Sequence, residues 1–528
     1  MDSPNTTAGT PKAVAVIDIG SNSVRMMVAQ VFADGRVDVL ERVQRAVRLG
    51  HDTFVSGRLS QPTMNAAISI LRDCARILAT YKVEQVRAVA TSAVREASNA
   101  DAFINRIAMA TTLDVDVIDT AEEMRLTLSA VRKAVAEAPA VMKDDTLIVE
   151  VGGGSALLAA FHLGQLKESE SYSLGSIRLQ EALSTAQEPP ERAVDLLRHE
   201  IANIVAAIRR SLHLAKVRAF IAIGGDARFA ARRIGKPGPT PDLHTVDVKD
   251  FDALVIECSQ FTADQLRKQY GLAFADAETL VPALLAYQAL LHATRAARMT
   301  VCNVSMRDGL LMDLARVASG KSDPELAESV IQSARAVGEK YRYDSRHAEH
   351  VTYLAARLFD DLQRVHALTP RHRLLLQVAA LLHEIGEFVS SRAHHKHSYY
   401  LISNAEIFGL RRDELLVVAN VARYHRRGTP KPTHINYISM PREQRIVINK
   451  LAAILRLADA LDVGHEQRID FSIERRPTEL ILSVRGPGDL ALERRAVDSK
   501  SDLFEEIYGM KVRLEEAPGI IEPPEAAE

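Results

Sequence analysis

The sequence predicts two related α/β halves with a cleft between them, followed by an all-α domain and a small α+β unit. Three observations support this prediction. One glycine- and serine-rich pattern occurs twice, strands alternate with helices up to about residue 318, and the pattern becomes almost wholly helical from residue 325. With 528 residues, the chain is long enough for several domains.

The repeated pattern consists of an apolar strand, an acid, an apolar residue, a glycine, two small residues and a serine. Its first copy covers Val16–Ser23 and its second covers Ile148–Ser155. The acid, the glycine and the serine keep one offset of 132 residues, as between Asp18 and Glu150. Because another apolar stretch follows each copy, each predicts a β-hairpin with a small-residue turn.

Turns of this kind suit phosphate. Glycine lets backbone N–H groups approach an anion with no Cβ in the way, and a serine hydroxyl adds a donor. An acid at the end of a strand can hold a divalent cation directly or through water. For either turn alone, an ordinary hairpin turn is the favoured interpretation. The matched offset favours two turns that face each other across a cleft for a phosphate chain and a metal ion.

Composition narrows the class of protein. The chain is 47% hydrophobic and 25% charged, and its formal net charge of −2 provides no global basic field for nucleic acid. Cys74, Cys258 and Cys302 lack C-x-x-C spacing, which argues against a disulfide scaffold or structural zinc and fits a reducing cytoplasm. No apolar run is long enough to cross a membrane, and the polar segment Met1 to Lys12 lacks the apolar core of a signal peptide.

The two α/β halves are predicted at residues 13–130 and 131–318. Apolar, β-branched stretches predict strands and a period near 3.6 predicts helices. In the first half the predicted strands are Ala13–Ile19, Ser23–Val31, Val37–Val47, Val86–Ala90 and Asp114–Ile118, and the helices are Pro62–Tyr81 and Asn99–Thr111. In the second half they are the hairpin Thr146–Val151 and Ala156–Leu163, the helix Glu191–Leu212 and the buried strand Ala219–Ile223.

The remaining segments follow a polar linker at 319–324. Residues 325–465 predict an all-α domain, and residues 466–516 predict a small α+β domain. Its predicted elements are the strands Ile469–Glu474, Glu479–Val484 and Lys511–Leu514 and the helix Ser499–Tyr508. The tails at 1–12 and 517–528 are polar or acidic and are predicted to be disordered.

Two segments beside the predicted cleft carry candidate chemistry. Glu122 and Glu123 open a helix after a strand, where a carboxylate could orient and deprotonate water; the alternative is that the helix dipole alone favours acids there. Arg95 follows another buried strand and is placed to grip phosphate, the alternative being a surface arginine beside a helix cap.

Seven stretches, in order across both halves, resemble the exopolyphosphatase/guanosine pentaphosphate phosphohydrolase (Ppx/GppA) family. They are VIDIGSNSVRMMV, RAVATSAVREASN, VIDTAEEMRL, LIVEVGGGSALL, YSLGSIRL, AIGGDAR and VSMRDGLL. The resemblance implies duplicated actin-like (ASKHA, ribonuclease H-like) halves. It also implies Mg²⁺ or Mn²⁺ held by Asp18 and Glu150, Glu122 as the water-activating carboxylate and Arg95 on phosphate. The implied phosphate loops comprise Gly20, Ser21, Asn22, Ser23, Gly152, Gly153, Gly154 and Ser155.

The chain departs from the family's pattern at two points. Glu150 stands where the family usually has aspartate, and one more methylene moves the carboxylate by roughly 1.5 Å. Asp119 and Thr120 stand where the family usually has serine and glycine, just ahead of the glutamate pair.

The helical domain resembles the histidine–aspartate (HD) metal-hydrolase fold found in longer members of the family. The defining pair reads His383-Glu384 here, and the other candidate metal ligands are His350, the cluster His394–His397, His425 and Asp459. The alternative is that the histidines pack and bind anion. A polyphosphate channel is then expected at His394, His395, Lys396, His397, Arg426 and Arg427.

The function expected from these features is removal of terminal orthophosphate from inorganic polyphosphate by a cytoplasmic homodimer. Three alternatives stay open: trimming of guanosine pentaphosphate to the tetraphosphate, a non-catalytic sensor of polyphosphate or alarmone, and a kinase of the same superfamily.

Overall fold

The computed structural model describes residues 11–319, 324–426, 428–466, 469–485 and 490–516. The chain divides into two compact units, residues 1–326 and 327–528. Most of both predicted disordered tails, the centre of the predicted linker and Arg427 lie outside the described residues. The first strand begins at Lys12, the last residue of the predicted N-terminal tail.

The first unit contains twelve strands among its described residues. They are β1 (Lys12–Ile19), β2 (Ser23–Val31), β3 (Val37–Ala46), β4 (Gln85–Ala90), β5 (Val115–Val117), β6 (Thr146–Val151), β7 (Ala156–His162), β8 (Gln165–Tyr172), β9 (Ala219–Ile223), β10 (Lys236–Pro237), β11 (Leu243–Asp247) and β12 (Arg298–Cys302).

Helices cover both sheets of this unit. They are α1 (Leu49–Ser56), α2 (Gln61–Thr80), α3 (Ser92–Arg95), α4 (Ala100–Thr111), α5 (Thr120–Val135), α6 (Ser176–Ala182), α7 (Pro190–Ser211), α8 (Gly225–Ile234), α9 (Val248–Ser259), α10 (Ala263–Tyr270), α11 (Phe274–His292) and α12 (Met306–Ser319).

The two sheets repeat one topology. The first has the order β3-β2-β1-β4-β5, and the second has the order β10-β11-β12-β9-β6-β7-β8. In both, the central strand pairs antiparallel with its hairpin partner and parallel with the next strand (β1 with β2 and β4; β6 with β7 and β9). The run β8-β7-β6-β9-β12 therefore matches β3-β2-β1-β4-β5, which confirms the predicted duplication of an α/β half.

The repeated motif closes the same turn in each half. The backbone N–H of Gly20 donates to the carbonyl of Ser23 at 3.0 Å, and that of Gly152 donates to the carbonyl of Ser155 at 2.9 Å. One sequence pattern thus gives one hydrogen-bonded hairpin turn at the end of each central strand.

The helix α12 packs on the first sheet. Its Leu310, Leu311 and Leu314 share a buried core with Val14 and Val16 of β1. The predicted second half, 131–318, included this helix, and the predicted boundary at residue 130 falls inside α5. The apolar spacing of α12 suits either sheet, so only its packing assigns it to the first.

The second unit is mainly helical. Its helices are α13 (Pro324–Lys340), α14 (Ser345–Asp361), α15 (Gln363–His366), α16 (Pro370–Leu382), α17 (His394–Ser403), α18 (Arg412–Arg423), α19 (Ile435–Ile438), α20 (Arg442–Leu461), α21 (Ala491–Lys500) and α22 (Asp502–Tyr508). Its strands are β13 (Asp470–Arg475), β14 (Glu479–Arg485) and β15 (Lys511–Glu516), in the order β13-β14-β15.

The core of this unit forms around α20. Every residue from Leu451 to Leu461 is buried, against α14, α16 and α18 on one part of its surface and α21 and α22 on another. A helix that is buried all round must pack inside a bundle. None of the helices in the described ranges of the whole chain combines the length and apolarity that a membrane crossing requires.

Candidate active site

The two glycine turns meet at one cleft of about 370 Å³ in the first unit. The sequence analysis predicted this arrangement, in which the two turns face each other across a cleft. All eight predicted loop residues line it, as do both predicted metal-binding acids; they are Gly20, Ser21, Asn22, Ser23, Gly152, Gly153, Gly154, Ser155, Asp18 and Glu150.

Close packing explains two of the three glycines of the second turn, Gly153 and Gly154. A Cβ on Gly153 would lie 2.8 Å from the Ile177 side chain and 3.0 Å from Cβ of Ser21, in the first turn. A Cβ on Gly154 would lie 2.6 Å from Phe54. Real Cβ atoms do not approach this closely, so the glycines let the two turns come together.

Two side chains of the first turn bind neighbouring elements. The amide of Asn22 donates to the carbonyl of Ala275, at the start of α11, at 2.7 Å. The hydroxyls of Ser21 and Ser92 lie 3.1 Å apart and form a hydrogen bond. These bonds hold the turn in place and leave its backbone, with Ser23, at the cleft.

Five carboxylates line the cleft: Asp18, Glu123, Glu150, Asp226 and Asp276. The hydroxyl of Thr127 donates to Oε2 of Glu150 at 3.0 Å. Burial raises the pKa of Glu150, while the Thr127 hydrogen bond and Arg228 oppose that shift.

Four arginines line the same cleft: Arg25, Arg228, Arg232 and Arg307. Arg307 lies 3.1 Å from Oδ2 of Asp18 and Arg25 lies 4.0 Å from the same oxygen. Burial lowers the pKa of the Arg228 and Arg307 guanidinium groups. The sequence analysis did not assign these arginines, although Arg25, Arg228 and Arg307 stand inside three of the stretches that carry the family resemblance.

Of the two adjacent glutamates, Glu123 lines the cleft and Glu122 does not. Arg125 donates to both oxygens of Glu122, at 2.7 and 2.8 Å, and Arg87 donates to one of them at 3.2 Å. The carboxylate of Glu122 is therefore occupied in a buried ion pair. Its predicted role as the water-activating carboxylate is incompatible with this geometry, and the role passes to Glu123 as a candidate.

Burial makes Glu123 an unusually weak acid for a carboxyl group. Desolvation raises its pKa to about 7, partly opposed by Arg95, and Glu150 and Asp18 raise it further. Its side chain is 17% exposed. A carboxyl group with a pKa near neutrality is divided between its charged and neutral forms under ordinary conditions, which suits a group that exchanges protons.

Arg95 supports Glu123 and does not line the cleft. Its guanidinium donates to the carbonyl of Ile118 at 2.7 Å and to Glu123 at 3.3 Å. The predicted contact of Arg95 with phosphate stays a prediction. In the structure, the side chain fixes the carboxylate of Glu123, which faces the cleft.

The residues ahead of the glutamate pair form a helix cap. The side chain of Asp119 accepts a hydrogen bond from the backbone N–H of Glu122 at 2.8 Å, which satisfies a free donor at the start of α5. Neither Asp119 nor Thr120 has positive φ. The backbone here consequently does not require the glycine that the family usually has.

The predicted polyphosphate channel of the second unit is only partly at the surface. Lys396 and Arg426 are exposed, and His395 and His397 are partly buried. His394 is buried, with its Nε2 3.1 Å from Nε2 of His425. The predicted placement of His394 on a channel surface is therefore wrong, because the ring packs inward on a second histidine.

Oxygen donors in the cleft fit Mg²⁺ or Mn²⁺. Asp18 and Glu150 are each the last but one residue of the central strand in the repeated topology, β1 and β6. A hard cation of this type is bound by one or two carboxylates together with substrate oxygens and water. Among the described residues, the groups of three or more side chains close enough to share one ion both lie in the second unit. In the cleft, a cation would thus depend on phosphate and water to complete its coordination.

Fold and cleft together define a phosphate-handling protein with duplicated actin-like halves. The model of the Ppx/GppA phosphatase family matches residues 27–317, and the model of domain III of that family matches residues 331–481. The chain belongs to the Ppx/GppA phosphatase family, as its sequence motifs predict.

Solved structures share the fold of the first part of the chain. An exopolyphosphatase from Cytophaga hutchinsonii is 23% identical, with a TM-score of 0.53, over 58% of this chain and 98% of its own. An exopolyphosphatase-like protein is 22% identical, with a TM-score of 0.52, over 59% of this chain and 99% of its own. These likenesses confirm the predicted actin-like α/β architecture.

Proposed function

We propose that this protein is an exopolyphosphatase, which hydrolyses the terminal phosphoanhydride bond of inorganic polyphosphate in the cleft of the first unit. One observation carries the proposal. The carboxylate of Glu123, with a pKa raised to about 7, opens on the same cleft as two phosphate-type turns and four arginines. A base, an anion cradle and positive charge are the parts that phosphoryl transfer to water needs.

Glu123 would act as the general base. Its ionised form accepts a proton as the oxygen of water bonds to the terminal phosphorus. The bond from that phosphorus to the bridging oxygen breaks, the shortened chain leaves with the electron pair, and orthophosphate is released. Arg95, at 3.3 Å from Glu123, keeps the carboxylate directed at the cleft.

The turns and arginines would hold the chain end. Backbone N–H groups around Gly20 and Gly152, with the hydroxyls of Ser23 and Ser155, are donors of the kind that bind phosphate oxygens. Arg228 and Arg307 sit in a low-dielectric cleft, where a guanidinium binds phosphate more strongly than in water.

Asp18 and Glu150 would hold Mg²⁺ or Mn²⁺. When bound, such an ion neutralises negative charge on the phosphate oxygens. Arg307, which lies 3.1 Å from Oδ2 of Asp18, pairs with that carboxylate.

Phosphate release tests the proposal directly. The purified chain would be assayed on long-chain polyphosphate and on guanosine pentaphosphate, with Mg²⁺ and with a chelator. We expect metal-dependent release from polyphosphate at a higher kcat/KM than from the nucleotide. A higher kcat/KM on the nucleotide would replace polyphosphate by guanosine pentaphosphate as the substrate. Tight binding of polyphosphate with no release would make the protein a sensor, and transfer of phosphate from ATP to a small molecule would make it a kinase.

Several earlier expectations remain predictions. These are the domain boundaries, the cytoplasmic location, the homodimer, and a polyphosphate path along His395, Lys396, His397 and Arg426.

A further inference from the structure

Tyr287 of α11 is a buried tyrosine that stands behind the cleft. Its side chain is 0% exposed, and it is not among the described residues that line the cleft. Burial raises the pKa of its hydroxyl, and the carboxylates of Asp226 and Glu150 raise it further, while the N–H of Val151 opposes the shift. The hydroxyl therefore stays protonated and is able both to donate and to accept a hydrogen bond.

The hydroxyl of Tyr287 uses both capacities on the backbone. It accepts a hydrogen bond from the N–H of Val151 at 2.9 Å and donates one to the carbonyl of Ile223. The registered pairs of the parallel strands β6 and β9 end at Glu150 and Ile223. The hydroxyl is thus inserted between the two strands where they separate, and it satisfies one buried backbone donor and one buried backbone acceptor there.

Both strands lead directly into the cleft. After Val151, β6 passes into the second glycine turn at Gly152, and after Ile223, β9 passes through Gly224 into α8, which carries Arg228. Gly152, Gly224 and Arg228 all line the cleft. The hydroxyl therefore joins the starts of two cleft segments, one of them a proposed phosphate turn and the other the carrier of a proposed phosphate-binding arginine.

Gly224 shows how closely the hydroxyl fits. Its φ is +110°, a backbone conformation that is essentially restricted to glycine. A Cβ there would lie 3.1 Å from the hydroxyl oxygen of Tyr287 and 3.5 Å from the carbonyl oxygen of Val151. A side chain at this position would press on the hydroxyl, so the contact requires a glycine beside it.

The same helix also holds the first turn. The Asn22 amide donates to the carbonyl of Ala275, at the start of α11, at 2.7 Å. α11 is thus bonded to the first turn near its own N-terminus and, through Tyr287, to the strand that enters the second turn. Because α11 is buried along most of its length and packed interiors are stiff, these two contacts fix the separation of the turns.

We propose that Tyr287 is a positioning residue for the second phosphate turn. Its hydroxyl fixes the backbone at Val151, between the proposed metal-binding carboxylate of Glu150 and the turn at Gly152, and it sets both against Arg228. Tyr287 touches neither substrate nor metal and acts through these groups alone. This inference rests on the proposed function, since it assumes that the second turn receives the terminal phosphate.

Tyr287→Phe isolates the hydroxyl, because phenylalanine keeps the ring in the core. The full chain would be assayed on polyphosphate with Mg²⁺, below its unfolding midpoint. Loss of a group that orients the residues of a reaction centre typically costs about 10–100-fold. We expect kcat to fall about tenfold or more while KM changes by less than about threefold, since the first turn and the arginines still hold the chain.

Hydrogen–deuterium exchange gives a readout that does not depend on activity. Loss of the hydroxyl leaves the N–H of Val151 without its partner. In the peptide spanning 148–155, that amide should exchange about tenfold faster or more in Tyr287→Phe than in the wild type.

Tyr508→Phe is the matched control. It removes a tyrosine hydroxyl that donates to the carbonyl of Lys450 at 3.0 Å, in the second unit. This variant should keep the wild-type kcat and the wild-type exchange of the peptide spanning 148–155.

A wild-type kcat in Tyr287→Phe would overturn the positioning role, and so would an equal loss of kcat in Tyr508→Phe. A wild-type chain that releases no phosphate from polyphosphate or from guanosine pentaphosphate would instead defeat the proposed function. In that case the exchange of Val151 decides the role of Tyr287: a faster amide in Tyr287→Phe supports it, and an unchanged one overturns it.

Discussion

Glu122 and Glu123 are neighbours in α5, yet their carboxylates meet opposite surroundings. Glu122 is held by Arg125 at 2.7 and 2.8 Å, whereas Glu123 opens on the cleft with its pKa raised to about 7. Successive residues of an α-helix point about 100° apart, so one residue of such a pair can pack inward while the next faces a site. One of the two stabilises the fold and the other is available for chemistry.

Glu122→Gln should destabilise the protein without abolishing activity. It removes one charge from a buried ion pair, and Arg125 keeps its other partner, Asp313. We expect the free energy of unfolding to fall by about 2–3 kcal/mol. Denaturant unfolding measures the loss, with Glu137→Gln, at an exposed position, as the unchanged control. An unfolding midpoint equal to that of the wild type would show that the pair contributes nothing.

The pH profile of kcat/KM should rise through neutrality. A base must be ionised to act, and the pKa of Glu123 is raised to about 7, so activity should be low below that pH and level off above it. Steady-state rates on polyphosphate across pH 5–9 measure the midpoint. Burial also raises the pKa of Asp226 in the same cleft to about 7. Because Glu123 and not Asp226 is the proposed base, Asp226→Asn should leave the midpoint in place. A midpoint that shifts by more than one pH unit in that variant would assign the titration to Asp226 instead.

Glu123→Gln should stabilise the fold at alkaline pH. A buried carboxyl whose pKa rises from 4.5 to about 7 on folding binds its proton more tightly in the folded state. Its contribution to stability is full below the unfolded value and is lost as pH rises through the folded value. Glutamine stays neutral, so the variant should exceed the wild type by about 1–3 kcal/mol at pH 8 and match it at pH 4.5. Equal unfolding midpoints at both pH values would show that burial of Glu123 carries no such cost.

Gly175→Ala should disrupt the second phosphate turn. A Cβ there would lie 2.5 Å from the carbonyl of Gly153 and would overlap the backbone of Gly154 and Ser155. Backbone cannot move aside as a flexible side chain can, so we expect at least a tenfold loss of phosphate release and a lower Tm. Gly428→Ala, which adds a methyl group in open space, is the control. A Gly175→Ala enzyme with wild-type Tm and rate would contradict the packing described here.

Periodicity and repetition predicted most of the first unit. The twin motif located both central hairpins to within a residue or two, because apolar strands and small-residue turns are local signals. No local signal in the sequence shows which sheet α12 packs on, since its Leu310 and Leu314 would suit either sheet. In the second unit, α21 was missed because half of its residues are charged and its buried apolar residues are only Ala496 and Val497.

The site was predictable as a set of segments and not as a set of contacts. The sequence identified both turns and the segment that holds the base. It could not choose Glu123 over Glu122, because that choice depends on the rotation of α5 about its axis. Nor could it show that Arg95 bonds Glu123 at 3.3 Å or that His347, and not His350, meets Asp459. Each of these depends on side chains that lie far apart in the sequence.

The most direct test of the account is the rate of phosphate release from saturating polyphosphate by Glu123→Gln and Glu122→Gln, measured side by side below their unfolding midpoints. Removal of a general base typically costs about 10²–10⁴ in rate. We predict that Glu123→Gln loses at least 10² of the wild-type kcat while still binding polyphosphate, and that Glu122→Gln stays within about threefold of the wild type. A Glu123→Gln enzyme with near wild-type kcat, or a folded Glu122→Gln enzyme that is equally inactive, would contradict the assignment of the base and with it the proposed reaction.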